Sequence, residues 1–133
     1  MSDYDCAAEH LCFIGAINRS ATGVHLDPTN SITNPRFLYD NATFLKREFE
    51  IFGDAVVSIH LKDLCLNPAK FTVTMEEVVI ERGNIDYINL LCLTDKLPPD
   101  TPGMLEHLAT ETLYNVAADS IRGLADKTGV TFR

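Results

Sequence analysis

Apolar positions along the chain follow two periods. Leu38, Ala42, Leu45, Phe49 and Phe52 recur at intervals of four, three, four and three, one face of a helix over residues 35–52. Pro35 suits its first turn and Gly53 its end. Leu113, Val116, Ala117, Ser120, Ile121, Leu124 and Ala125 repeat the pattern behind a cap at Thr110, and Gly129 stops it after Lys127. Ala7, Leu11 and Ile14 predict a first helix over residues 3–17, capped by Ser2 or Asp3. Asp86 can cap a short helix running to residue 93.

Between these helices lie short runs of a different kind. Residues 22–27, 55–60 and 103–107 read as strands. The β-branched stretch Val56 to Ile59 has the look of a strand buried on both faces. Pro28, which lacks a donor, ends the first strand, and residues 28–35 form a polar loop. Residues 63–85 are irregular and long for a connection. Phe71 to Met75 alternates and Val78 to Ile80 is apolar, so a small β excursion is expected over residues 70–80. Residues 96–102, with three prolines, form a rigid spacer. Helices alternating with strands predict an α/β fold, one domain over residues 1–133, with parallel strands joined by right-handed crossovers.

Composition narrows the function. A chain of 133 residues can bury one core. The net charge of −8, without a cluster of lysine or arginine, argues against nucleic acid. No apolar run reaches the roughly 20 residues of a membrane span. Residues 1–5 lack the basic-then-apolar order of a signal peptide, so a cytoplasmic location is expected. Cys6, Cys12, Cys65 and Cys92 form no CxxC pair and read as free, buried thiols.

Each predicted strand ends in a group capable of chemistry: Asp27, His60 and Glu106. Carboxyl ends of parallel strands converge, so residues distant in sequence can share a site there. Two carboxylates and an imidazole suit manganese, magnesium or cobalt better than structural zinc. Such an ion can hold two neighbouring oxygens of a polyol or keto-sugar, while a carboxylate beside it moves a proton. The plainer alternatives are helix caps, water-facing polar groups and, for His60, a satisfied core histidine. His25 and His107 are expected to point to the other side of their strands. Lys62 either pairs with Asp63 or reaches substrate, and Asn30 either supports Asp27 or serves the turn.

Four segments carry a family resemblance: Gly23-Val-His-Leu-Asp27-Pro-Thr-Asn30, Val57-Ser-Ile-His60-Leu-Lys-Asp63, Gly83-Asn-Ile-Asp86-Tyr87 and Met104-Leu-Glu106-His107-Leu108. In order and spacing they resemble the carboxyl-terminal half of the xylose isomerase-like TIM barrels, nearest to the sugar phosphate isomerase/epimerase group. The resemblance spans residues 5–127. It implies strands six to eight of a (β/α)8 barrel and a divalent metal held by Asp27, His60 and Glu106, with Glu106 also the proton-transferring residue. Lys62 and Asn30 would then contact substrate. Two departures stand out. A further glutamate, carried by strand five in that family, has no counterpart here. Ile80-Glu81-Arg82 precedes Gly83 where relatives commonly have a Pro-Gly turn.

A full barrel of this kind needs about 250 residues. Three strands cannot close, and Val24, Val57, Ile59 and Leu105 would face water. The expectation is therefore a half barrel completed by a second copy or a companion chain, or else a truncated product. Three functions follow: a metal-assisted isomerase or epimerase acting on a small sugar, a non-catalytic remnant that binds a partner, or an endonuclease at abasic sites. Asn30, where that last branch carries a histidine ligand, and the negative charge disfavour the third.

Overall fold

The computed structural model describes residues 5–131. Strands β1 (Val24–Leu26), β2 (Val56–Leu61) and β5 (Gly103–Leu105) form a parallel sheet with β2 in the middle. Strands β3 (Asp63–Leu66) and β4 (Met75–Val78) form a separate antiparallel pair. The helices are α1 (Asp5–Ile17), α2 (Pro28–Ser31), α3 (Pro35–Tyr39), α4 (Asn41–Phe52), α5 (Tyr87–Thr94) and α6 (Glu111–Thr128). The expected α/β class and the three parallel strands are therefore present. The proposed caps of the first helix, Ser2 and Asp3, lie outside the described residues.

The helices pack side by side, α1 on α4, α4 on α5 and α5 on α6. Beneath them lie the buried strand residues Val24, Leu26, Val56, Ile59 and Leu61. Thr110 caps α6 by accepting from the Leu113 amide, and Gly129 ends it in the left-handed conformation at φ 75°. Asp86 caps α5 through the Asn89 amide.

Several expectations need correction. The single helix over residues 35–52 is two, broken at Asp40 (φ −111°, ψ 40°). The break turns the buried Asn41 side chain toward the loop ahead of α5. Its Nδ2 donates to the carbonyls of Leu38 (2.6 Å) and Asn84 (2.8 Å), and its Oδ1 accepts from the Asp86 amide (2.7 Å). The apolar period runs through the break because both pieces face one core, with Leu38 and Leu45 fully buried.

The β excursion is displaced. Residues 71–74 belong to the loop before β4, where Phe71 and Val73 are exposed. The partner of β4 is Asp63–Leu66, which continues almost directly from β2. Nor is β2 buried on both faces. Its second face carries Ser58 and His60, half-buried, and is continued by the exposed His25 of β1 and Met104 of β5. Of the four apolar residues expected to face water, Val24 and Ile59 are buried under the helices and Leu105 is half-buried. Only Val57, 55% exposed, stands clear, at the irregularity between Val24 and His25 in the β1–β2 register. Among the described residues the thiols are free but not buried: Cys12 and Cys92 are exposed and Cys65 half-buried, while the Cys6 side chain lies outside the described residues.

Candidate metal centre

Asp27 follows β1 and is the cap of α2. Its Oδ1 accepts from the Asn30 amide (3.1 Å) and the Thr29 hydroxyl (2.7 Å), and its Oδ2 from Asn30 Nδ2 (2.8 Å). The local sequence therefore fixes the carboxylate before any partner arrives. Asn30 both serves the turn and supports Asp27, the two roles left open for it.

His60 lies near the end of β2, and Glu106 immediately follows β5. The His60 Nδ1 is 3.2 Å from Asp27 Oδ2 and 3.1 Å from Glu106 Oε2. One ligand atom from each of Asp27, His60 and Glu106 lies within 4.8 Å of the others, close enough to hold one metal ion. Three strand ends thus bring together the three residues singled out from sequence.

Lys62 completes the cluster. Its side chain is 2% exposed, and Nζ lies 2.8 Å from Asp27 Oδ2 and 2.9 Å from Glu106 Oε2. It also lies 3.3 Å from Glu77 Oε1 and 3.5 Å from His107 Nδ1. The alternative pairing of Lys62 with Asp63 is not formed. Asp63 is buried and accepts from the amides of Leu64 (2.8 Å), Gly83 (2.8 Å) and Ile85 (3.1 Å). Tyr87 donates to the Lys62 carbonyl at 2.8 Å, which fixes the backbone there.

His25 and His107 do not point away from the site. His25 and Asp27 are two apart, so they share a face by strand alternation. The His25 ring meets the His60 ring edge-on at 3.9 Å between centroids, and its Nδ1 bonds Ser58 Oγ. His107 turns back because its backbone is left-handed, at φ 59°. That break in alternation sets its Nδ1 2.9 Å from Glu77 Oε2 and its Nε2 3.6 Å from Glu106 Oε2.

The charges settle the protonation. Burial raises the Asp27 pKa, but hydrogen bonds from Lys62, Thr29, Asn30 and His60 together outweigh it and hold the carboxyl below its usual range. Glu106 is likewise lowered, chiefly by the Lys62 hydrogen bond. For Lys62, burial disfavours the charge, yet Asp27 and Glu106 raise its pKa above the ordinary lysine value. Two carboxylates and one ammonium are therefore ionised at neutral pH.

Two acidic residues escape a sequence reading. Glu77 reaches the cluster only because β4 pairs it opposite Leu64. Glu48 on α4 is 3% exposed, and its Oε2 has no hydrogen-bond partner among the described residues. Its position three residues after Leu45 and four after Phe44, on the apolar face of the helix, was the available signal.

No protein-family model, curated protein or solved structure matches this chain.

Proposed function

We propose that Asp27, His60 and Glu106 hold a divalent cation, magnesium, manganese or cobalt, and that the site moves a proton on a small keto-sugar or polyol. The observation that carries this reading is the meeting of the three ligand atoms, within 4.8 Å, at the ends of neighbouring parallel strands. The donor set fits: two ionised oxygen ligands and one imidazole favour hard or borderline divalent ions. A bound ion would polarise the substrate carbonyl and offset the charge of an enediolate.

The remaining work falls to the chain. Asp27, held by Thr29 and Asn30, is a fixed ligand. Glu106 has the more open carboxylate, 32% exposed against 10% for Asp27, and is the group that takes and returns a proton. The resemblance to the isomerase/epimerase barrels supports the same roles. The polar face bearing His25, Ser58 and His60 is open, and a second copy or companion chain laid across it would exclude water from the reaction.

Manganese titration calorimetry on the intact chain tests the reading. One site is expected, with affinity falling at least tenfold in Asp27→Asn and in Glu106→Gln. Keto-sugars incubated with the protein and manganese in D2O should gain deuterium beside the carbonyl, read by NMR. Absence of both binding and exchange overturns the proposal. A non-catalytic role is the second reading, favoured by Lys62, whose ammonium bridges the two carboxylates from within the chain.

A further inference from the structure

Lys62 stands between two sets of acceptors. Toward the strand ends its ammonium bonds Asp27 Oδ2 at 2.8 Å and Glu106 Oε2 at 2.9 Å, oxygens of two of the three candidate ligands. Toward the β3–β4 hairpin it meets Glu77 Oε1 at 3.3 Å. The side chain is almost wholly enclosed, so it cannot leave for solvent without rearrangement. A cavity of about 440 Å³ adjoins the ammonium, with Lys62, Glu77, Glu106 and His107 in its wall.

Two cations on the same oxygens repel strongly. Like charges held a few ångströms apart on shared oxygens repel the more strongly where water is excluded, and a divalent ion doubles the repulsion of a monovalent one. A cation can therefore load fully only as the ammonium gives up Asp27 and Glu106. Glu77 already touches the ammonium and offers the compensating charge. From this geometry we infer that Lys62 is a built-in competitor for the metal, displaced toward Glu77 when the site loads, so that Lys62 and Glu77 together set the cation affinity. The inference deepens the metal-site reading and rests on it. Lys62 and Glu77 are here positioning residues, acting on the ligands rather than on substrate.

The experiment is manganese titration calorimetry on the full chain: wild type, Lys62→Met, Glu77→Gln and the double variant. Lys62→Met should bind manganese at least tenfold more tightly than wild type. Glu77→Gln should weaken binding by threefold or more in the wild type, and by clearly less in the Lys62→Met background. That difference separates a partner of Lys62 from a general attraction of Glu77 for the ion, which would persist without the lysine. Wild type binding as tightly as Lys62→Met, or more tightly, overturns this inference and leaves the metal site standing. No binding by any form overturns the metal site itself, and this inference with it.

If Lys62→Met fails to fold, the wild-type chain answers the same question. Magnesium is added while the Lys62 Nζ and His60 ring resonances are followed by NMR. Both should shift together to saturation. A His60 shift with Lys62 unmoved overturns the inference; neither shifting overturns the metal site.

Discussion

Glu48 is the residue most at odds with its surroundings. Burial, and to a lesser degree the nearby Asp27 charge, raise its pKa to about 7 against a hydrogen bond with Ser31 that lowers it. A folded-state pKa above the unfolded value means that the native chain binds the proton more tightly. Stability then falls as pH rises from 4.5 through about 7. The shift corresponds to about 3 kcal/mol. Glu48→Gln should remove this decline and stabilise the protein at pH 8 relative to wild type. Urea midpoints at pH 5 and pH 8 measure it, and an unchanged pH dependence in the variant contradicts the assignment. The residue shows how an ionisable group on an apolar helix face can be read from spacing, whereas the lack of a partner for its Oε2 among the described residues cannot.

The connection between β4 and α5 is held by a few polar groups rather than by regular structure. Asp63 gathers the amides of Leu64, Gly83 and Ile85, and Asn41 clasps Asn84 and Asp86. Gly83 is required by proximity: a Cβ there would lie 2.1 Å from Asp63 Oδ1 and 2.7 Å from the Leu64 carbonyl oxygen. Gly83→Ala should therefore destabilise by about 1–3 kcal/mol, through crowding and loss of the Asp63 contacts. Gly123, inside α6, has nothing within 4 Å of the same added atom. Gly123→Ala should stabilise by about 0.5–1 kcal/mol, since alanine is the better helix former. Thermal melts of the two variants should move in opposite directions; a neutral Gly83→Ala would show that the loop can relax. In the Ile80-Glu81-Arg82 segment Glu81 adopts the left-handed region at φ 68°, where glycine is the usual occupant.

Across the molecule, one face of the sheet is covered by helices and the other is not. The uncovered face is more polar than the sequence suggested, with His25, Ser58 and His60 beside the exposed apolar residues Val57 and Met104. Among the described residues, the outer edges of β1 and β5 have no strand neighbour in the sheet. We propose that a second copy or companion chain covers this face, and sedimentation velocity gives the test. The wild-type chain should sediment as more than a monomer, alone or with its companion. Val57→Lys should shift it toward the monomer, because a lysine there places a charge in the covered surface. A stable wild-type monomer that captures no companion would contradict the pairing.

Much of this arrangement was legible in the amino-acid order. Helical periods, caps at Asp86 and Thr110, the stop at Gly129 and the three strands are local properties, written in spacings of a few residues. Asp27, His60 and Glu106 could be picked out because a parallel sheet gathers its strand ends. Other features depend on contacts between distant segments. The break at Asp40 accompanies the meeting of Asn41 with Asn84 and Asp86, and the left-handed turn at His107 accompanies its contact with Glu77 of the hairpin. Glu77 enters through hairpin register, and the enclosed ammonium of Lys62 reaches its partners only once β1, β5 and the hairpin are assembled around it. Local spacing selects elements and their faces; which charges finally meet is decided by packing, because pairs 15 to 44 residues apart become neighbours only in the folded chain.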